Sequence, residues 1–114
     1  MHDDPVTTNP DLYRVVMEND RVRVLEYHDR PGDRTTAHAH PDSVMITASS
    51  FRRKLTLGER VAEVELESGT VRWLDAQEHV GENIGETVSH AFFVELKEPA
   101  PAREGATTLG PTDG

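Results

Sequence analysis

Short β-prone runs follow one another along most of this chain, and turn residues separate them. Tyr13–Met17 (YRVVM) and Val22–Tyr27 (VRVLEY) come first, divided by Asn19-Asp20. Ser43–Thr47, Arg53–Thr56, Val61–Leu66, Val71–Leu74 and Ala91–Leu96 follow. The intervals hold the Pro-Gly turn of DRPGDR, Leu57-Gly58-Glu59, Ser68-Gly69 and Asn83-Ile84-Gly85-Glu86. Apolar and polar residues alternate in VRVLEY and VAEVEL, the period of a half-buried strand. No window carries a helical stripe. Many short strands at near-regular spacing predict an all-β sandwich or barrel. A closed barrel suits a chain of 114 residues, because the core is modest and closure removes exposed sheet edges.

The barrel is expected over residues 11–97. Residues 1–10 (MHDDPVTTNP) carry no periodic pattern and read as a loose lead-in. Residues 98–114 are rich in Pro, Gly, Ala and Thr, and read as a disordered or surface-lying tail. These ends account for part of the low hydrophobic share of 35%. The formal charge of −9 argues against nucleic acid and anionic membranes as partners, since phosphate recognition needs clustered Lys and Arg. The chain has no cysteine, which excludes disulfides, thiolate metal ligands and a catalytic Cys. No apolar run is long enough for a bilayer-spanning helix. The N-terminus lacks a basic region followed by an apolar one, so a cytoplasmic location is expected.

The histidines carry the chemistry. His38 and His40 form His-Ala-His. On a strand such residues share one face, about 6.6 Å apart along the chain, close enough for both imidazoles to reach one ion. His79, which opens HVGEN, is the best distant residue to complete a site if the barrel folds back. The competing reading of His-x-His is a pair of surface histidines at a strand start. The Pro-Gly turn before the pair, the β-rich run after it and the third histidine weigh toward a site.

These residues resemble the two motifs of the cupin family. The first motif runs Gly, five residues, His-x-His, three or four residues, Glu, then a later Gly. Here Gly32, DRTTA and His38-Ala39-His40 match it. The second motif reaches a Pro-x-Gly turn, then His, three residues and Asn; here His79, VGE and Asn83 match. The resemblance covers about residues 20–97 and implies a cupin-type double-stranded β-helix, or jelly-roll barrel. The motif's Glu falls at Val44 or Met45, neither of which binds a hard cation, and the Pro and Gly of the second motif are replaced within Leu74–Glu78.

The resemblance implies one divalent transition metal (Fe, Zn, Ni, Mn or Cu) held by His38, His40 and His79. Imidazole suits several of these ions, and three protein ligands leave a position open. Gln77 and Asp42 are candidates for a fourth ligand, and Asn83 for a residue that orders the turn after His79 or supports its ring. An open site suits a small organic substrate or ligand. An Fe(II) dioxygenase stands first; a Zn, Ni or Mn lyase or isomerase and a non-catalytic metal and small-ligand sensor are the alternatives. Homodimerisation is also implied by the resemblance. Met45, Thr47, Trp73 and Phe93 are expected to line the pocket, with core packing the competing reading for the two aromatics. Glu95 shares its strand face with Phe93, and His28 shares one with Glu26. Each is a candidate acid/base if that face points inward. The basic run Arg52-Arg53-Lys54 reads as solvated.

Overall fold

The computed structural model describes residues 4–98 and 109–113. One short helix, α1 (Pro5–Thr8), precedes nine strands: β1 (Tyr13–Glu18), β2 (Val22–Asp29), β3 (His38–His40), β4 (Ser43–Thr47), β5 (Phe51–Leu57), β6 (Arg60–Leu66), β7 (Val71–Leu74), β8 (Gln77–Asn83) and β9 (Ser89–Leu96). They form two antiparallel sheets, ordered β1-β2-β9-β4-β7 and β3-β8-β5-β6. This is the expected all-β barrel.

Alternation sets which side chains meet between the sheets. On β9, Ser89, Ala91, Phe93 and Glu95 are buried while their neighbours are half-buried. On β4, Ser43, Met45 and Thr47 point in, and Val44 and Ile46 point out. Tyr13, Leu25, Tyr27, Met45, Phe51, Leu74, Ala91 and Phe93 form the core. Burying such side chains contributes about 1.5–3 kcal/mol each before conformational entropy is counted. The turns fall where Gly was expected to permit them: Gly58 and Gly69 adopt φ of +60° and +81°.

The ends are held more firmly than their composition suggests. Asp4 caps α1 by accepting from the Val6 N–H at 2.9 Å, and Pro5 occupies the first turn. Asn9 is buried and its Oδ1 accepts from Thr36 N at 2.9 Å. Residues 4–9 are therefore tied to the segment leading into β3, and the loose lead-in expected there is corrected. Of the expected tail, residues 99–108 and 114 lie outside the described residues, as do residues 1–3. Residues 109–113 lie against the barrel: Leu109 is buried, and Thr112 exchanges backbone hydrogen bonds with Trp73 at 2.7 and 2.9 Å.

Two strands had no sequence signature. β3 is three residues long, and the inward positions of β8 are His79, Gly81 and Asn83, none of them a large apolar group. These two strands carry the three histidines.

Candidate metal centre

β3 and β8 pair antiparallel with His38 opposite His79 and His40 opposite Gln77. His38 and His40 share a strand face, and His79 meets them from the neighbouring strand. The ring centroids are 4.8 Å apart for His38–His40 and 5.0 Å for each ring to His79. All three residues are buried, and one ligating atom from each lies within 4.8 Å of the other two. An ion bonded to tetrahedrally placed nitrogens at about 2.1 Å would hold them about 3.4 Å apart. Side-chain adjustment of about 1.4 Å at most separates the two arrangements.

Hydrogen bonds decide which nitrogens are available. His38 Nδ1 lies 2.8 Å from the Thr36 carbonyl. A carbonyl only accepts, so Nδ1 carries the proton and Nε2 keeps its lone pair. His79 Nδ1 lies 3.0 Å from Gln77 Oε1. That oxygen also accepts the Gly110 N–H at 2.8 Å, while Gln77 Nε2 donates to the Asp75 carbonyl at 3.0 Å. The amide orientation is thus fixed at both ends, and His79 again presents Nε2. His40 differs: among the described residues neither ring nitrogen has a hydrogen-bond partner. A buried polar ring without a partner costs free energy, so it marks a place for a missing group. The donor set fits a divalent transition metal.

Burial and then the neighbouring His38 push the His40 imidazolium down to about 3. Burial, followed by His40 and His38, holds His79 well below its ordinary value. Both rings are neutral at pH 7, the form that binds metal.

A cavity of about 50 Å³ adjoins the histidines, walled by Tyr13, Met45, Phe51, Arg53, Leu74 and Phe93 among others. It has room for a few waters. Phe93 stacks on His40 with centroids 5.2 Å apart. The buried Tyr13 hydroxyl lies 3.4 Å from His38 Nε2, and burial pushes its pKa upward. Across the cavity Arg53 donates to Asp29 Oδ2 and to Ser89 Oγ (3.0 Å), and its Nη2 donates to the Tyr27 hydroxyl at 3.0 Å. Tyr27 in turn donates to Asp29. Burial opposes the Asp29 charge, but Arg53 and hydrogen bonds from Tyr27, Arg53 and Asn83 hold its carboxyl below the usual range.

Several expectations need correction. His28 is exposed on the outer face, its ring 5.0 Å from that of His90, because β2 buries Leu25, Tyr27 and Asp29 instead. Asp42 lies outside the three-histidine group; its Oδ1 accepts the Ala76 N–H at 2.8 Å and secures the loop into β8. Of the two readings of Asn83, its bonds to Asp29 and the Thr87 carbonyl at 3.0 and 2.8 Å favour ordering of the β8–β9 turn over support of the His79 ring. Thr47 is buried, but its hydroxyl donates to the Glu67 carbonyl at 2.6 Å and does not line the cavity. Trp73, paired with the outward Val44, donates from Nε1 to Asp75 at 2.6 Å and lies outside the cavity wall. Gln77 stands behind His79, and Met45 and Phe93 line the cavity. Arg53 points inward, unlike the solvated run expected. Its place between Phe51 and Leu55, both buried, was the available signal. Tyr13, Tyr27 and Asp29 were missed because no short motif marks them.

No family model matches the chain, and no curated protein matches it. Solved structures do. A cupin domain from Bordetella pertussis Tohama I is 26% identical, with 76% of this chain and 93% of that one covered and a TM-score of 0.71. A protein with a double-stranded β-helix domain from Klebsiella pneumoniae is 22% identical, with 75% of each chain covered and a TM-score of 0.60. The polyketide cyclase RemF from Streptomyces resistomycificus is 18% identical over 86% of this chain and 71% of its own, at a TM-score of 0.56; at that identity the likeness shows the fold. With its two antiparallel sheets and its buried histidine triangle, the chain has the cupin double-stranded β-helix fold and is similar to solved cupin-domain proteins.

Proposed function

We propose that this cupin binds one divalent transition metal through Nε2 of His38, His40 and His79 and acts on a small organic molecule there. The single observation behind this reading is the buried triangle of imidazoles, two of them held by Nδ1 hydrogen bonds that leave the lone pair on Nε2. A bound divalent ion would supply Lewis acidity and open coordination positions, and with iron it would supply oxygen chemistry. The protein's own contribution is to shape the site. Phe93 and Met45 give the cavity apolar walls, and the Tyr13 hydroxyl stands where it can donate a hydrogen bond to a ligand beside His38. The small cavity supports a substrate of few heavy atoms. An Fe(II) dioxygenase is the first reading. A Zn, Ni or Mn lyase or isomerase, and a metal-bearing sensor without turnover, use the same ligands.

Elemental analysis of the purified protein tests the metal, and one equivalent per chain is expected. Oxygen uptake by the Fe(II)-loaded protein, across a panel of small thiols, phenols and keto acids, tests the dioxygenase reading. A stoichiometric metal with no uptake on any compound turns the assignment to the alternatives.

We also propose a homodimer through the outer face of the larger sheet. Met17, Val24, Val94, Val44 and Trp73 form a row of paired residues across all five of its strands. Met17 is 48% exposed, and Ile46 and Val71 nearby are 37% and 55% exposed. A second copy related by a two-fold axis would cover this row with its own. The charge of −9 supports partners other than nucleic acid. No helix among the described residues is long and apolar enough to cross a membrane, and the cytoplasmic placement stays part of this reading.

A further inference from the structure

Of the three histidines, His40 alone lacks a fixed Nδ1, and the residue behind it is Glu95. Glu95 is 3% exposed, on the inner face of β9 and directly opposite Ser43. Its Oε1 accepts from Arg23 Nε and Nη2 at 2.8 and 2.7 Å, and Arg23 also reaches Asp4 Oδ2 at 2.7 Å. Its Oε2 has no hydrogen-bond partner and lies 3.8 Å from His40 Nδ1. Three buried polar groups are therefore incomplete in one place: both His40 nitrogens, Glu95 Oε2 and the Ser43 hydroxyl.

We propose that Glu95 is the carboxylate behind His40, with Oε2 accepting the Nδ1–H so that Nε2 faces the point where the other two Nε2 lone pairs meet. This rests on the three-histidine metal reading. The bond requires His40 and Glu95 to approach by about 0.9 Å, from 3.8 Å to the ordinary 2.9 Å or so. It would complete a matched set: Thr36 behind His38, Gln77 behind His79 and Glu95 behind His40. A partner on the second nitrogen fixes the tautomer and makes the ring a better donor to metal. Glu95 also answers the missing carboxylate of the first motif. Met45 stands inward where that Glu would fall, and Glu95 brings a negative charge to the same region from β9, one residue removed from the ion. Arg23 and Asp4 hold the carboxylate in place, which gives the ordered N-terminal segment a part in the site. Glu95 is on this account a positioning residue, and the acid/base role considered for it is replaced.

The test is Co(II) binding by competition with a chromophoric chelator, joined to the proton spectrum of the Co(II)-loaded protein, where imidazole N–H protons near the ion are shifted far from the rest. Wild type should take one Co(II) and show three such N–H signals. Glu95→Ala should bind about 10–100-fold more weakly. It should lose or move the His40 signal while those of His38 and His79 stay. Glu95→Gln keeps the size and an accepting oxygen, so it should fold, retain the signal at a changed position and fall between wild type and Glu95→Ala in affinity. Affinity within twofold of wild type in both variants, with the His40 signal unmoved, overturns the proposal and leaves the metal site standing. Loss as complete as in His40→Ala also overturns it, by making Glu95 a ligand. A wild-type protein that takes no Co(II) defeats the metal reading itself.

Discussion

Two buried polar clusters face each other across the cavity, and they are built to opposite rules. On one side Arg53, Asp29, Tyr27, Ser89 and Asn83 share hydrogen bonds, and the charges of Arg53 and Asp29 cancel. That cluster is complete without any ligand. On the other side three imidazoles are crowded together, and His40 meets no partner among the described residues. A folded chain tolerates incomplete buried polar groups where function needs them, and stability elsewhere offsets the cost. The contrast separates what holds the barrel together from what the barrel holds.

Substitution should expose that difference most strongly. Asp29→Ala strands the Arg53 guanidinium, and breaking such a buried pair costs about 3–5 kcal/mol. Chemical denaturation of the metal-free protein should register a loss of that size. His40→Leu removes a polar ring without partners and should leave the metal-free protein within about 1 kcal/mol of wild type, or steadier. The same variant should lose metal binding. Equal losses of stability from both substitutions would erase the distinction.

Acid should act on one cluster before the other. His40 and His79 have folded-state pKa values below the unfolded value of about 6.5, so the folded state binds fewer protons. Their contribution is present in full above pH 6.5 and is lost as pH falls toward the folded pKa, about 3 for His40. At pH 5.5 these buried rings should make the metal-free protein less stable than at neutral pH, by on the order of 1 kcal/mol for His40. Denaturation midpoints at pH 7.5 and 5.5 measure it, and a His40→Leu variant should show a smaller drop. A flat profile would place water beside those rings.

The smallest effect separates inside from outside on one strand. Val44→Glu adds a carboxylate on the outer face of β4, so metal affinity should not change. The same variant puts charge into the apolar row and should weaken the proposed dimer, which light scattering would detect. Tighter metal binding in this variant would mean that β4 presents the opposite face.

How much was legible in the sequence follows the same division. His38, His40 and His79 could be read because period-2 spacing and a distant turn place them without any knowledge of contacts. Glu95 was conditional on Phe93, since alternation links their faces but cannot choose the side. The complete cluster was hidden. Arg53 sits in a basic run whose ordinary fate is solvent, and only its apolar neighbours at two-residue spacing, Phe51 and Leu55, mark it as inward. β8 escaped because its inward residues, His79, Gly81 and Asn83, form no hydrophobic pattern. A Cβ at Gly81 would sit 2.7 Å from Arg53 Nη2, so a side chain there would force the guanidinium to shift. Pairings such as Gln77 with Gly110 join residues far apart in the chain, and local pattern carries no trace of them.

X-ray absorption on protein loaded with one equivalent of zinc counts the ligands at the ion. Three imidazole nitrogens at about 2.0–2.1 Å, falling to two in His79→Ala, are expected if three distant strand positions converge as described. A first shell with fewer than three imidazoles in the wild type, or one unchanged by that substitution, would contradict it.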